Sequence, residues 1–246
     1  MTEETMLEQL RALGVAPGDT LFVHSSMKAI GTSLPPQDVL EILFAAVSPG
    51  GTLLLPAFTY ETVTPEHPEF DSILSEPCVG LLPRTFLHMS GVVRSVHPTH
   101  SVCARGENAV RLTRDHVLDE TPVGPHSPLM QLATCGGKLL FIGDILHACT
   151  FLHGVEERFG TDYVLTREKL RYIVNGEPRL LYGHDFRGWR QEYPRIRNIL
   201  GPDALVRGSF GQAPCYLINA AALLDAAMQK LQTDMHYFVS RQPEEA

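Results

Sequence analysis

Residues 18–31 read GDTLFVHSSMKAIG. The run TLFVH (20–24) follows a turn at Pro17, Gly18 and Asp19, and an unbroken apolar run of that length between turn residues is the pattern of a buried strand. The residues after it (His24, Ser25, Ser26, Lys28 and Gly31) form a polar loop. A helix over 37–47, opened by Pro35 and Pro36, comes next. Pro49, Gly50 and Gly51 turn the chain into a second buried strand, TLLLP (52–56). A third, LLFIG, lies at 139–143. Buried strands interleaved with helices predict an α/β fold, layered α/β/α around a central mixed sheet.

The rest of the chain extends the pattern. Met6, Leu7, Leu10 and Leu13 recur at helical spacing over 3–13. Helices are expected at 79–89, 129–133, 150–158 and 219–232, and strands at 101–104 and 214–218. Residues 57–78 carry Pro65, Pro68 and Pro77 and read as a long irregular loop of the kind that often serves function. TPVGPHSP (121–128) reads as rigid loop. Residues 163–182 alternate loosely about Asn175 and Gly176, a strong hairpin-turn signal. No domain boundary stands out, so one domain over 1–246 is expected.

Composition narrows the class. The 246 residues hold 20 Lys+Arg against 28 Asp+Glu, a formal charge of −8 that argues against a general nucleic-acid binder. At 44% hydrophobic and 20% charged the chain has ordinary globular usage. The start, MTEETMLEQL, lacks the basic and apolar regions of a signal peptide, and no apolar run approaches membrane-spanning length. Five scattered cysteines without a Cys-x-x-Cys pair argue against a disulfide framework. A cytoplasmic protein without membrane attachment is the expectation.

Three segments carry chemistry-bearing residues. HSSMKAIG (24–31) places hydroxyls, Lys28 and Gly31 after a buried strand, which suits an anion, although the same residues make an ordinary capped turn. RSVHPTHSVCARG (94–106) spaces His97, His100 and Cys103 as three potential zinc ligands, but Pro98 breaks any helix through them, and hydrogen-bonding or packing roles fit as well. In HACTFLHGVEERFG (147–160), helical spacing puts Thr150, His153 and one of Glu156 or Glu157 on one face. Imidazole beside carboxylate is the usual make-up of a general base. Asp185 and His184 follow downstream as further orienting candidates. A serine hydrolase from Ser25 or Ser26 with His153 and Asp185 lacks the Gly-x-Ser-x-Gly elbow.

Seven segments in order, from GDTLFVHSSMKAIG through GTLLLPAFTYE (51–61), RSVHPTHSVCARG, TPVGPHSPLMQL (121–132), GGKLLFIG (136–143) and TFLHGVEE (150–157) to GSFGQAPCYLINAAALLDAA (208–227), resemble the antibiotic (aminoglycoside 3-) N-acetyltransferases. The resemblance implies a mixed-sheet α/β fold distinct from the GNAT acetyltransferases, with acetyl-CoA as co-substrate, no metal, and a small-molecule amine as acceptor; a homodimer is left open. It implies Ser25, Ser26, Met27, Lys28 and Gly31 along the coenzyme path, with Ser101 and His97 as a second contact. His153 becomes the general base and Thr150 its neighbour at the thioester, while Glu156 and Asp185 are the acids. Transfer to an aminoglycoside or related amino sugar by direct attack needs no enzyme nucleophile. Cys149, next to Thr150, keeps an acyl-enzyme route in view. The runners-up are a metal-dependent hydrolase on His97, His100 and Cys103 and a non-catalytic coenzyme-binding relative. Arg187, Arg190, Arg195, Arg197 and Arg207 crowd a short acceptor-side stretch, which suits an anionic amino sugar unless they are surface arginines.

Overall fold

The computed structural model describes residues 2–242. Its helices are α1 (Glu3–Leu13), α2 (Met27–Ile30), α3 (Pro36–Val47), α4 (Leu81–Leu87), α5 (Ala109–Thr113), α6 (Pro128–Thr134), α7 (Thr150–Phe159) and α8 (Ala220–Thr233). Its strands are β1 (Thr20–Ser25), β2 (Thr52–Pro56), β3 (Glu69–Phe70), β4 (Val93–Arg94), β5 (Val102–Gly106), β6 (Lys138–Ile142), β7 (Leu170–Val174), β8 (Glu177–Leu181), β9 (Trp189–Gln191), β10 (Leu205–Phe210), β11 (Ala213–Asn219) and β12 (Val239–Arg241).

The central sheet has seven strands in the order β10-β11-β6-β1-β2-β5-β4. β1 runs parallel to both β2 and β6, while β5 and β11 join antiparallel on either side, so the sheet is mixed as expected. Side chains alternate across it with the period of two that strands impose. Leu21 and Val23 join Leu53, Leu55, Leu140 and Ile142 in the core under α1, α3 and α4. Phe22 joins Leu54, Leu139 and Phe141 in the core under α6, α7 and α8. Both faces of the central strands are therefore dry, which is why they read as continuous apolar runs.

Several local outcomes differ from the sequence reading. The 24–31 loop contains a one-turn helix, because the Ser26 hydroxyl accepts the Ala29 N–H at 3.3 Å and Gly31, at φ 62°, ends the turn in the left-handed region. The Asn175–Gly176 turn forms with both residues at positive φ (51° and 85°), but its hairpin starts only at Leu170 and pairs with β3 in a separate three-stranded sheet. β10 was not anticipated: its LVRGSF sequence leaves three consecutive residues exposed and lacks a buried-strand pattern.

From β1 the chain crosses through α3 to β2 on one side, while β6 lies on the other. The carboxyl end of β1 is thus where connections diverge, the place where open α/β sheets hold ligands.

Candidate active site

A cleft of about 660 Å³ opens at that point. His24 and Ser25 come from the end of β1, Pro56 and Phe58 from the end of β2, and Ile145 from the turn after β6. Thr150 and His153, from the first turn of α7, form another wall, and His100, His184 and Phe186 close it from two loops. His24 follows from alternation: Phe22 points to the α7 side of the sheet, so His24 two residues on does too, and its ring stacks on Phe141 at 5.0 Å.

His153 sits within a group of imidazoles. Its ring stacks on His184 at 4.6 Å and 27°, and His100 meets His184 edge-on, also at 4.6 Å. Tyr193 and Phe186 pack edge-on against His153 at 5.4 and 5.0 Å. Burial, reinforced by the charge His184 and His24 would carry, pushes His153 well below the ordinary imidazole range. Burial does the same to His100, and takes His24 down to about 3. These rings are neutral at neutral pH, and a neutral imidazole is a proton acceptor. Four buried polar atoms here lack a partner: His24 Nε2, Ser25 Oγ, His153 Nδ1 and His184 Nδ1.

The carboxylates are distributed differently from the expectation. Glu156 is fully buried, accepting Tyr163 Oη at Oε1 and Tyr193 Oη at Oε2, both at 2.8 Å. Burial raises its carboxyl to about 8, and its link to His153 runs through the Tyr193 ring. Glu157, one turn beyond His153, is the carboxylate that contacts the cluster: Oε1 lies 2.6 Å from His184 Nε2 and accepts the Val123 N–H at 2.9 Å. Asp185 does not join His153. The backbone at 183–185 is pinned to 164–166 by strand-like bonds, so neighbouring side chains take opposite faces. His184 enters the cleft, while Asp185 pairs with Arg187 at 2.6 Å in a second cavity of about 790 Å³. That separation leaves a Ser25–His153–Asp185 hydrolase unassembled.

Of the expected coenzyme residues, Ser25 lines the cleft. Ser26 caps α2, Met27 packs on the core under α1 and α3, Lys28 is exposed, and Gly31 lies against Gln212. His97 and Ser101 lie outside the cleft lining. His97 is buried with Nδ1 accepting the Thr99 and His100 N–H groups, and its ring stacks on His116. The Ser101 hydroxyl donates to the Ala57 carbonyl and accepts from Arg94, so neither side chain faces the cleft. Among the described residues no three His, Cys, Asp or Glu side chains group to hold a metal, so His97, His100 and Cys103 do not converge. Burial pushes the Cys149 thiol up to about 12, and it does not line the cleft.

The arginine-rich stretch is mostly tied down. Arg187 pairs with Asp185, Arg190 with Glu192 and Arg197 with Asp144, while Arg195 donates to the Tyr237 carbonyl. These contacts favour the surface reading over an anion site. Glu157, His184 and Tyr193 carry more of the site than the sequence reading gave them. Tyr193 has no local signal, because its contacts with Glu156 and His153 cross some forty residues of chain.

Comparison with known proteins gives a consistent result. A model of the aminoglycoside 3-N-acetyltransferase family matches residues 22–232. The chain is 36% identical over 260 aligned residues to aminoglycoside N(3)-acetyltransferase VII of Streptomyces paromomycinus, covering 92% of this chain and 89% of that one. It is 38% identical over 176 residues to aminoglycoside N(3)-acetyltransferase VIII of Streptomyces fradiae, covering 64% of this chain and 61% of that protein's length. The solved structure of AAC-IIIb in a binary complex with CoASH superposes with a TM-score of 0.80 at 27% identity, over 99% of each chain.

Proposed function

The chain belongs to the aminoglycoside 3-N-acetyltransferase family, and on that premise we propose that it moves the acetyl group of acetyl-CoA to a primary amine of an aminoglycoside or related amino sugar, with His153 as general base. Family membership makes it an acetyl-CoA-dependent acyltransferase. The observation that carries the catalytic assignment is His153 itself: held on α7, kept neutral by burial, and facing a cleft at the divergence of the central strands.

The residues present fit the coenzyme. The cleft joins an apolar lining of Pro56, Phe58, Val79, Pro83 and Ile145 to the orphaned Ser25 hydroxyl, a combination suited to a pantetheine arm with its amides. Gly80, at φ 75°, lets backbone form the wall without a side chain.

The acceptor must shed its ammonium proton before its nitrogen can attack the thioester. His153 then takes the second proton as the C–N bond forms, and returns it to the coenzyme thiolate as the C–S bond breaks. Thr150, whose hydroxyl makes only a long 3.4 Å bond to the Ala148 carbonyl, is the side chain available to the developing oxyanion. Glu156 acts at one remove, fixing Tyr193 against the His153 ring.

The test is coenzyme-thiol release with acetyl-CoA and a panel of aminoglycosides and simpler amino sugars, alongside calorimetric binding of acetyl-CoA. Turnover with at least one amine, lost in His153→Ala while coenzyme binding persists, is expected. Coenzyme binding without turnover on any amine would make the chain a non-catalytic relative, and unchanged turnover in His153→Ala would remove the base.

A further inference from the structure

The wall of the cleft carries no fixed charge. Among the described residues, none that lines it is an Asp, Glu, Lys or Arg. Its polar groups are imidazoles, the Ser25 and Thr150 hydroxyls, the Tyr60 phenol and the Gln191 amide. The acids that neighbour lining residues in the chain are each matched by an arginine. Asp144 pairs with Arg197, Asp185 with Arg187 and Glu192 with Arg190. Glu61 and Arg84 both lie close to Cys78 and offset each other there. Glu157 stands behind the wall, where Oε1 accepts the Val123 N–H and meets His184 Nε2 at 2.6 Å.

We infer that the acceptor is an amino sugar that brings one amine into the cleft, with hydroxyl or amide groups elsewhere, and that the cleft selects against polycationic aminoglycosides. The inference rests on acetyl transfer being the reaction of this cleft. An ammonium that enters a pocket gives up its water, and an anion must replace that water. A polycation meets this cost at every ammonium, and here no carboxylate lines the cleft to offset it. The reacting amine escapes the cost, because it sheds its proton before attack. Hydroxyls fit the wall better, since they donate and accept as neutral imidazoles and the Ser25 hydroxyl do, whereas an ammonium only donates. Aromatic rings supply the rest of a sugar site. Tyr60, 44% exposed, stacks on His100 at 5.8 Å and 29°, and Phe58 meets His100 at 5.0 Å. Such a surface takes the C–H face of a sugar ring, whose apolar area needs no counter-charge.

The experiment compares glucosamine, with its single amine, and the polyamine neamine on the full chain. In thiol release with acetyl-CoA, kcat/KM for glucosamine is expected to exceed that for neamine by about tenfold or more. Calorimetric titration of the two sugars into the CoA-saturated protein reads the same preference without turnover. If neither amine is acetylated, the transfer reading fails, while the order of binding still judges the charge preference. Gln191→Glu then places a carboxylate in the wall at almost no change of shape. It is expected to raise the neamine-to-glucosamine ratio of kcat/KM, or of affinity, by about tenfold at low salt, and by less at high salt. Neamine favoured by the native chain, neither sugar bound, or a ratio that Gln191→Glu leaves in place would each overturn the inference.

Discussion

The segment 183–187 divides two cavities, and the side chains on its two sides obey different rules. Toward the second cavity Asp185 bonds Arg187, Asp162 meets His236 at 2.9 Å, and Arg241 lies 3.9 Å over the Trp189 ring. Toward the cleft, imidazoles stack on one another, and His24, Ser25, His153 and His184 each bury a polar atom without a partner. Folded chains satisfy nearly all buried polar groups, so a concentration of unmet ones marks where a substrate is to supply the missing partner. The second cavity pairs Asp185 with Arg187 and Asp162 with His236, and none of the unmet polar atoms belongs to its lining.

The sharpest way to break this contrast is to substitute across the segment. His153→Asn lowers kcat by about 10²–10⁴-fold, the range that general-base removal commands. Asp185→Asn, a few residues away on the other face, changes kcat by less than about threefold, because it loses only an exposed ion pair. Steady-state thiol release measures both, and comparable losses in the two variants would dissolve the distinction.

The next largest effect is on stability. A histidine kept neutral in the fold but free to protonate when unfolded makes the unfolded state bind more protons below pH 6.5, so stability falls as pH drops. His24, at about 3, and His116, at about 4, show this together with His97, His100 and His153. At pH 5 each such group costs about 2 kcal/mol relative to pH 7. His24→Phe, which retains the stacking surface against Phe141, recovers about that amount at pH 5 and much less at pH 7. Urea unfolding at the two pH values measures it; equal differences would mean that His24 carries a proton in the fold.

The two cavities were unequally legible in the sequence. TLFVH, TLLLP and LLFIG announce their strands because both faces are buried, and the segment that follows the first strand leads to the cleft. His153 was legible because helical periodicity places it beside carboxylates. Which carboxylate reaches the imidazoles was not, since Glu156 and Glu157 are adjacent and only the fold decides that Glu156 turns to Tyr163 and Tyr193 while Glu157 turns to His184. The side that Asp185 takes was not legible for a related reason: near-neighbour sequence position says little where alternation sends His184 one way and Asp185 the other. Ser101 and His97 spend their polar groups on the chain around them, Ser101 on the Ala57 carbonyl and Arg94, His97 on the Thr99 and His100 N–H groups, which no sequence pattern announces.

Glu156 sharpens the comparison within α7. Its carboxyl, raised to about 8, keeps a proton that the unfolded chain releases above about pH 4.5, so it erodes stability as pH rises from there to 8, opposite in sign to the histidines. Glu156→Gln is uncharged throughout and therefore gains on the native chain over that interval, by about 1 kcal/mol or more. It retains partners for both tyrosines, so kcat keeps more than about a tenth of its value. Thermal unfolding between pH 5 and 8 with parallel kinetics decides it, and a stability difference flat in pH would mean that Glu156 is ionised beside its tyrosines.

The smallest effect tests the quiet side of the segment. The Arg187 side chain is 89% exposed, and although it holds the Asp185 carboxyl below its usual range, solvent screens most of that attraction. Arg187→Ala leaves the thermal stability nearly unchanged and leaves the KM for every amine unchanged. If the second cavity did read the acceptor, this substitution would separate anionic from cationic amino sugars in kcat/KM. An effect confined to one charge class would show that the acceptor reaches past His184 and Phe186, and that the paired charges beyond them serve recognition.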